Sequence, residues 1–283
     1  MDNTEPIYHT SAPLLFSYQL FRSGAHEVNI AFTSVAAGNV GLHVDTGEPQ
    51  AQTLRHRLRL EGMLSTGLPF LYLNQVHGTT VVCAEDYEPA QYAPQDSADR
   101  FSDTHAQHLL EQAPVADAAY STSGRPLAIM VADCIPVVLV GQRHDGDLVL
   151  AVAHAGRKGL LDGVLQRTVV AMHEAGAENI CAWLGPSICG SCYEVSEELS
   201  ERFLRDFPGG ERVVSFTGRN AGGERKYHLN LREANRQLLL EEGISEDRIE
   251  LPGFCTCCNP RLFFSHRFSG ERRGNQAAFL MLL

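Results

Sequence analysis

The segment LVLAVAHAGRKG, residues 148–159, joins a continuous apolar run to a histidine and a glycine-containing turn. Six successive apolar residues, 148–153, are typical of a strand that is buried on both faces of its sheet. The following residues, 156–159, predict a turn. Apolar side chains then recur at helical spacing, which predicts a helix that ends at Gly176. These side chains are Leu161, Val164, Leu165, Val169 and Met172. The segment therefore predicts a buried strand that is followed by a turn and a helix.

Other apolar runs add further elements along the chain. Strands are predicted at 71–73, 79–83, 127–131, 137–140, 180–184, 227–231, 263–265 and 277–283. Helices are predicted at 105–111, 197–207 and 233–242. Pro136 interrupts the strand signal and predicts a bulge or an edge strand. Because strands do not alternate strictly with helices, the pattern predicts an α+β fold, a layered α/β sandwich with mixed β-sheets, rather than a doubly wound sheet.

The chain is expected to form a single domain over residues 1–283. A length of 283 residues is compatible with one or two domains. The most linker-like region, 85–112, contains Pro89 and Pro94, but it is too short to separate two independent units. The rest of the sequence continues the same alternation of apolar and amphipathic segments.

Charge and hydropathy exclude several classes of partner. With 23 Lys and Arg against 34 Asp and Glu, the formal net charge is −11, so nucleic acid and anionic membranes are poor partners. The longest apolar stretch, 128–140, is interrupted by Asp133 and is shorter than the roughly 20 residues of a membrane-spanning helix. The acidic start has no secretory signal pattern. We therefore expect a cytoplasmic protein with reduced cysteines.

Three metal-capable side chains each follow an apolar run. They are His77 in NQVHG, Cys134 in ADCIP and His154 in AHAG. If neighbouring strands end at one edge of a sheet, two imidazoles and one thiolate meet there. Such a set holds a zinc ion and leaves the fourth tetrahedral position for water or substrate, as catalytic zinc sites require. The alternative is that each residue lies separately at the end of its own strand.

Five of the eight cysteines form a second group in the sequence. Cys189 and Cys192 make a CxxC pair, and Cys255, Cys257 and Cys258 lie in the segment CTCC. Together they could form a structural zinc site or a redox pair. However, the adjacent Cys257 and Cys258 cannot both easily face one centre. This favours small buried thiols instead.

Six short motifs occur in one order along the chain. They are NQVHG (74–78), ADCIP (132–136), AHAG (153–156), WLGP (183–186), CYEV (192–195) and FFS (263–265). Together they resemble the YfiH-like family, whose members were first described as laccase-like multicopper polyphenol oxidases and later as purine nucleoside phosphorylases. The resemblance runs from about Asn39 to the C-terminus. Six linked motifs in order are far more specific than any one of them alone.

This resemblance implies a fold, a metal and a reaction. The implied fold is an α/β sandwich related to the catalytic domain of cytotoxic necrotising factor. His77, Cys134 and His154 are the implied catalytic residues and ligands of one zinc ion, with copper as a less favoured metal. The implied activities are phosphorolysis of adenosine, inosine and methylthioadenosine, with adenosine deamination as a side activity. The partners are then a purine nucleoside and phosphate, and we expect a monomer or a homodimer.

The expected substrate-binding residues are Asn39, His43, Arg157 and Lys158. Arg157 and Lys158 supply cations for phosphate in this interpretation, and Asn39 and His43 hold sugar hydroxyls. At 157–159 the chain has Arg-Lys-Gly where the family usually has Trp-Arg-Gly, and lysine does not reproduce the bidentate contact of arginine with phosphate. Residues 267–269 and 274–275 likewise replace a paired-arginine and a Gly-Arg pattern. This sequence therefore matches the family pattern more closely at the metal ligands than at the anion site.

The sequence leaves other functions open. Cys134 could be the nucleophile of a cysteine hydrolase, with His77 or His154 as its base. The departures at the anion site fit a degenerate, non-catalytic nucleoside-binding protein. Some bacterial members of the family are linked to editing of peptidoglycan precursors. Copper-linked phenol oxidation is least favoured, because one His and Cys cluster offers too few ligands for several copper ions.

Overall fold

The computed structural model describes residues 15–23, 26–64, 67–90, 98–220, 222–251 and 253–283. The strands are β1 (Leu15–Ser23), β2 (His26–Thr33), β3 (Val81–Cys83), β4 (Ala118–Ser121), β5 (Leu127–Val131), β6 (Ile135–Gln142), β7 (Leu148–Ala155), β8 (Glu178–Leu184), β9 (Glu194–Val195), β10 (Val214–Arg219), β11 (Arg225–Leu229), β12 (Ile249–Glu250) and β13 (Gln276–Leu282). The α-helices are α1 (Gln50–Leu64), α2 (Asp103–Gln112), α3 (Arg157–Asp162), α4 (Val164–Glu174), α5 (Glu197–Asp206), α6 (Gly210–Val213), α7 (Leu231–Glu241) and α8 (His266–Ser269).

A four-stranded antiparallel sheet contains β1, β2, β13 and β5 in that order. Its inner strands alternate between two environments, as the period of a strand requires. Ile30 and Ile129 face a second sheet. Their neighbours Ala31 and Met130 face the opposite side, where they pack with Leu60 of α1. This sheet is therefore covered on both faces.

The second sheet has six strands in the order β12, β8, β6, β7, β4 and β3. The outermost pair at each edge is parallel, and the pairs between them are antiparallel. Every residue of the central strand β7 is buried. This burial explains why its sequence is a continuous apolar run rather than an alternating one.

The layers run in the order helix, sheet, sheet, helices. One face of the six-stranded sheet packs on the four-stranded sheet, with Val138, Val152 and Trp183 in the shared core. Its other face packs against α4, α5 and α7. A separate three-stranded antiparallel sheet contains β10, β11 and β9. The prediction of a layered sandwich with mixed sheets is confirmed, and the relation to cytotoxic necrotising factor stays a prediction.

Several local predictions are wrong. The turn expected at 156–159 begins helix α3, because Gly156 is its N-cap. Pro136 lies in neither a bulge nor an edge strand; it is the second residue of the central strand β6, and its carbonyl accepts the N–H of Gly185 at 2.9 Å. In the segment 71–73, Leu71 forms an isolated bridge with Leu127 rather than part of a strand. Residues 263–265 lead into α8 without pairing as a strand.

Other elements had no counterpart in the predictions. Strands β1 and β2 and helix α1 were not anticipated. In the linker-like region, α2 confirms the short helix expected at 105–111. Residues 91–97 of that region, with Pro94, lie outside the described residues, as does the acidic start of the chain.

Candidate functional site

The structure brings His77, Cys134 and His154 together at one end of the two packed sheets. Cys134 lies where the chain crosses from β5 in one sheet to β6 in the other. His154 lies near the end of β7, and His77 precedes β3. Their donor atoms all lie within 4.8 Å of one another. Nε2 of His77 is 3.9 Å from Sγ of Cys134, and the two imidazole rings are 4.6 Å apart at 67°.

A buried carboxylate, Asp117, holds the side chain of His154 and the backbone at His77 in place. Its Oδ1 accepts Nδ1–H of His154 at 2.9 Å and the backbone N–H of His77 at 2.9 Å. Its Oδ2 accepts the backbone N–H groups of Gly78 at 2.6 Å and Val76 at 3.2 Å. Because Nδ1 of His154 is engaged, Nε2 is the atom left for a metal or for Cys134. This carboxylate–histidine arrangement is the usual support of a metal-binding imidazole.

Sequence reasoning missed Asp117. The signal was a single charged residue in the apolar run VADAA, 115–119, immediately before β4. Asp117 is fully buried, and aspartate is almost never fully buried unless it is paired. A lone acid in such a run is therefore a good candidate partner for a nearby histidine.

The backbone is strained at two positions of the site. His77 has a φ of 58° and Asp133 a φ of 86°, both in a region that non-glycine residues rarely adopt. At His77 the turn directs successive N–H groups at Asp117. The Asp133 carboxylate accepts Oγ1–H of Thr256 and the backbone N–H of Arg267, each at 2.6 Å. These contacts fix the turn that presents the next residue, Cys134.

The protonation states of Cys134 and His154 are coupled. Burial alone would raise the pKa of the Cys134 thiol, but the charge of His154 and hydrogen bonds from both histidines lower that pKa to about 6. Burial acts to lower the pKa of His154, yet the Cys134 thiolate and Asp117 raise it to about 9. At neutral pH the metal-free pair is therefore thiolate and imidazolium. A thiolate is the form of cysteine that binds metals and acts as a nucleophile.

Two glycines allow the segment after β7 to approach the site closely. A Cβ atom at Gly156 would lie 2.6 Å from Sγ of Cys134, and one at Gly159 would lie 2.8 Å from the carbonyl oxygen of Gly78. Neither distance is compatible with a side chain. The glycines of the 148–159 segment are therefore needed because the site is packed against them.

Two cavities meet at His77 and Cys134. The first, of about 300 Å³, is lined by polar residues that include His43, Gln75 and Asn275. The second, of about 480 Å³, is lined by residues that include Arg157, Arg267 and Tyr193. Arg273 lines both. A larger cavity of about 630 Å³ lies near α1 and α2, but it includes none of the three clustered residues.

The second cavity carries more positive charge than the sequence suggested. Arg157 donates to the hydroxyl of Tyr193 at 3.2 Å, and the Arg267 guanidinium lies 5.2 Å from the centre of the Tyr193 ring. Tyr193 thus holds two arginines beside the cavity. The sequence did not predict Arg267 and Arg273 as binding residues, because residues 267–269 were interpreted as the loss of a paired-arginine pattern.

The four predicted substrate-binding residues have different positions. Arg157 and His43 line the cavities. Lys158 is exposed and lines neither of these two cavities. Asn39 is buried behind the first cavity, where its side chain bonds Thr53, Gly41 and the backbone N–H of Asn275. Asn39 therefore positions Asn275, and the substrate contacts of Asn39 and Lys158 stay predictions.

His43 is held in its neutral form. Although part of the ring faces solvent, loss of surrounding water and the positive charge of Arg57 lower its pKa to about 4. Its Nε2 lies 3.4 Å from Nδ2 of Asn275. His43 is therefore a hydrogen-bonding group at neutral pH rather than a cation.

The second cysteine group is also brought together, contrary to the expectation of separate buried thiols. The sulfur atoms of Cys189, Cys192, Cys255 and Cys258 all lie within 4.8 Å of one another. Cys257 is not in this group. The adjacency of Cys257 and Cys258 was therefore no obstacle, because only one of the two faces the other sulfurs.

Comparison with known proteins identifies the family. The model of a family described as multi-copper polyphenol oxidoreductase laccase matches residues 25–283. A purine nucleoside phosphorylase of Xylella fastidiosa is 36% identical over 229 residues, which are 80% of this chain and 76% of that protein. The chain therefore belongs to this laccase-like, YfiH-type family.

Two further comparisons agree with this assignment. Adenosine deaminase RL5, from an unknown prokaryotic organism, is 35% identical over 154 residues, which are 53% of this chain and 56% of that protein. The crystal structure of the hypothetical protein YfiH from Bacillus licheniformis superposes with a TM-score of 0.74 at 24% identity, covering 96% of this chain and 98% of that one. The latter supports the fold. Within the described part of the chain, no helix is long and apolar enough to cross a membrane.

Proposed function

We propose that this protein is a zinc-dependent purine nucleoside phosphorylase acting on adenosine, inosine and methylthioadenosine, with adenosine deamination as a second activity. We also infer that residues 1–283 act as one domain. The observation that carries the proposal is the meeting of a polar cavity and an arginine-lined cavity at His77 and Cys134. Family membership supports it, since relatives carry the names of both activities.

The donor set fits zinc better than copper. Two imidazoles and one thiolate are common zinc ligands and leave one position open. The same set also occurs in blue-copper sites, where a methionine usually lies on the axis. Met130 lines the first cavity, but its Sδ accepts a hydrogen bond from Arg57 at 3.5 Å. Zinc held by His77, Cys134 and His154 would supply a Lewis acid at the junction of the cavities.

The second cavity is the proposed phosphate site. Arg157, Arg267 and Arg273 line it, and arginine matches the geometry of phosphate oxygens. Nε of Arg273 is buried and has no hydrogen-bond partner among the described residues. A phosphate oxygen is the kind of acceptor that this Nε lacks. Arg267 and Arg273 thus add to Arg157 the bidentate donors that Lys158 does not supply.

The first cavity is the proposed nucleoside site. Neutral His43 and Asn275 are placed to hydrogen-bond sugar hydroxyls, and Oδ1 of Asn275 has no partner among the described residues. In phosphorolysis the bond from the sugar to the purine breaks and a bond to a phosphate oxygen forms. The arginines hold the attacking anion in line with the sugar, and Asp117 keeps His154 oriented. Positioning of this kind lowers the barrier of a two-substrate reaction.

Replacing Arg267 with alanine tests the assignment of the two cavities. Loss of one charged contact weakens phosphate binding by about 1.5–3 kcal/mol, so KM for phosphate should rise about 10- to 100-fold. KM for the nucleoside should change little, because Arg267 does not line the first cavity. Steady-state kinetics with each substrate varied in turn measures both constants.

Arg261→Ala is the matched control, because Arg261 is exposed and lines neither cavity. It should leave both constants unchanged. A rise in KM for the nucleoside alone in Arg267→Ala would contradict the placement of phosphate in the second cavity.

A cysteine hydrolase is the second candidate, and the arrangement of Cys134, His154 and Asp117 favours it. This is the nucleophile, base and orienting acid of a catalytic triad. Metal content separates the two functions. If Cys134 binds zinc, iodoacetamide should label it only after the metal is removed. Rapid labelling of the protein as purified, with no metal bound at this site, would favour the hydrolase.

A further inference from the structure

Two cysteine-bearing turns face each other beside the candidate site. Cys189 and Cys192 lie between β8 and β9, and Cys255 and Cys258 lie after β12. The segments before the turns are joined by an isolated parallel bridge. In it, Ser187 N–H donates to Phe254 O at 3.3 Å, and Thr256 N–H donates to Ser187 O at 3.2 Å. The two CxxC segments are thus held side by side by backbone bonds, independently of their sulfur atoms.

Both CxxC segments fold into the same turn. In the first, Tyr193 N–H donates to Cys189 O at 3.1 Å. In the second, Asn259 N–H donates to Cys255 O at 3.2 Å. Each turn places its two thiols on one side, so four sulfur atoms converge. The pair Cys192 and Cys258, one from each turn, has its sulfur atoms 3.3 Å apart.

Backbone hydrogen-bond donors and one cation lie beside the sulfur atoms. Sγ of Cys255 accepts the backbone N–H of Cys189 at 3.3 Å and that of Cys258 at 3.4 Å. Arg232 is tied to both segments through the carbonyl oxygens of Ser187 and Phe254, and it places a positive charge near the sulfurs. N–H donors and a nearby cation lower the cost of several negative sulfurs in one place.

We propose that Cys189, Cys192, Cys255 and Cys258 bind one structural zinc ion, separate from the site of His77, Cys134 and His154. A zinc ion with bonds of about 2.3 Å to four sulfurs holds them roughly 3.8 Å apart, which agrees with a group contained within 4.8 Å. An iron–sulfur cluster places several iron atoms between its cysteines and needs a wider spacing. Two CxxC pairs with no open position are the usual composition of a structural zinc site.

The ion would fasten two loops that reach the candidate site. The first loop carries Tyr193, which contacts Arg157 and Arg267. The second carries Thr256, whose hydroxyl donates to Asp133 beside Cys134. Zinc at the four cysteines would therefore stabilise the walls of the second cavity without contacting a substrate.

Metal analysis in a Cys134→Ala background tests this proposal separately from the proposed function. This variant lacks a ligand of the first site, so protein purified without added metal should retain one zinc per chain at the four cysteines. Adding Cys258→Ser, a change at an exposed thiol, should remove that zinc. Adding Cys257→Ser instead should leave it in place, because Cys257 is outside the group.

Cobalt substitution provides a second readout that needs no cysteine of the group to be changed. Cobalt-loaded Cys134→Ala should show the intense sulfur-to-cobalt charge-transfer bands of a tetrahedral four-thiolate centre. Absence of zinc and of these bands in folded Cys134→Ala would overturn the proposal. So would retention of a full equivalent of zinc after Cys258→Ser is added.

Discussion

Replacing Cys134 with alanine should abolish phosphate-dependent release of purine from adenosine and inosine. The variant loses the only sulfur ligand of the His77, Cys134 and His154 group. Loss of even an outer partner of a metal ligand costs about 10- to 100-fold in activity, so loss of a ligand should cost at least about 100-fold. Measurement of free base by chromatography, with and without phosphate, gives the rate. Zinc content should fall by one equivalent in parallel.

Cys83→Ala is the control for this prediction. Cys83 is a half-buried thiol outside both cysteine-containing groups, and it donates to Glu85 at 3.0 Å. Its replacement should leave activity and zinc content unchanged. Full activity in Cys134→Ala would show that the chemistry takes place elsewhere.

Replacing Asp117 with asparagine should reduce both stability and metal affinity. The carboxylate accepts four hydrogen bonds, and the amide group of asparagine would place a donor against backbone N–H groups. Such a buried mismatch, together with the lost pairing to His154, should cost about 3 kcal/mol of the free energy of unfolding. Zinc affinity at the site should fall about 10- to 100-fold, because His154 is no longer oriented. Urea denaturation and zinc competition measure the two effects.

The pH dependence of stability should also change in Asp117→Asn. Burial alone would raise the pKa of Asp117, but the hydrogen bond and charge of His154 lower it below its usual value. A carboxyl with a lowered pKa stabilises the fold fully above its unfolded-state pKa, and the stabilisation is lost as pH falls through the folded-state pKa. Asp117→Asn has no carboxyl to protonate at this position. Its free energy of unfolding should therefore lack the decrease at low pH that protonation of Asp117 causes in the unchanged protein.

Asp145→Asn supplies the matched substitution at the surface. Asp145 forms an exposed ion pair with Arg143 at 3.1 Å, and such pairs contribute about 0–1 kcal/mol. An equal loss of stability in the two variants would contradict the role of Asp117 as a buried support of the site.

Periodicity was enough to find most of the central strands. The apolar runs of β5, β7 and β8 are long and sharply bounded, because both faces of these strands are buried. The division of the strands between two sheets could not be obtained in this way. Strand β13 pairs with β2 and β5, so it depends on contacts between the two ends of the chain. A local pattern has no information about such pairings.

Apolar runs also located part of the candidate site. His77, Cys134 and His154 each follow an apolar run, and the convergence of those runs brought the three together. Asp117 and Arg273 had no comparable local signal, since their importance comes from what the fold places next to them. The sequence did not predict that Cys189, Cys192, Cys255 and Cys258 would meet. Adjacency in sequence says little about which side chains face one another at a turn.

The most direct test of the proposed function is identification of the sugar product from inosine. Zinc-loaded protein incubated with inosine and phosphate should form hypoxanthine and ribose 1-phosphate in equal amounts, and neither should form without phosphate. Phosphorus-31 NMR detects the new phosphate ester directly. Release of hypoxanthine with free ribose, or no release at all from the zinc-loaded protein, would contradict phosphorolysis at this site.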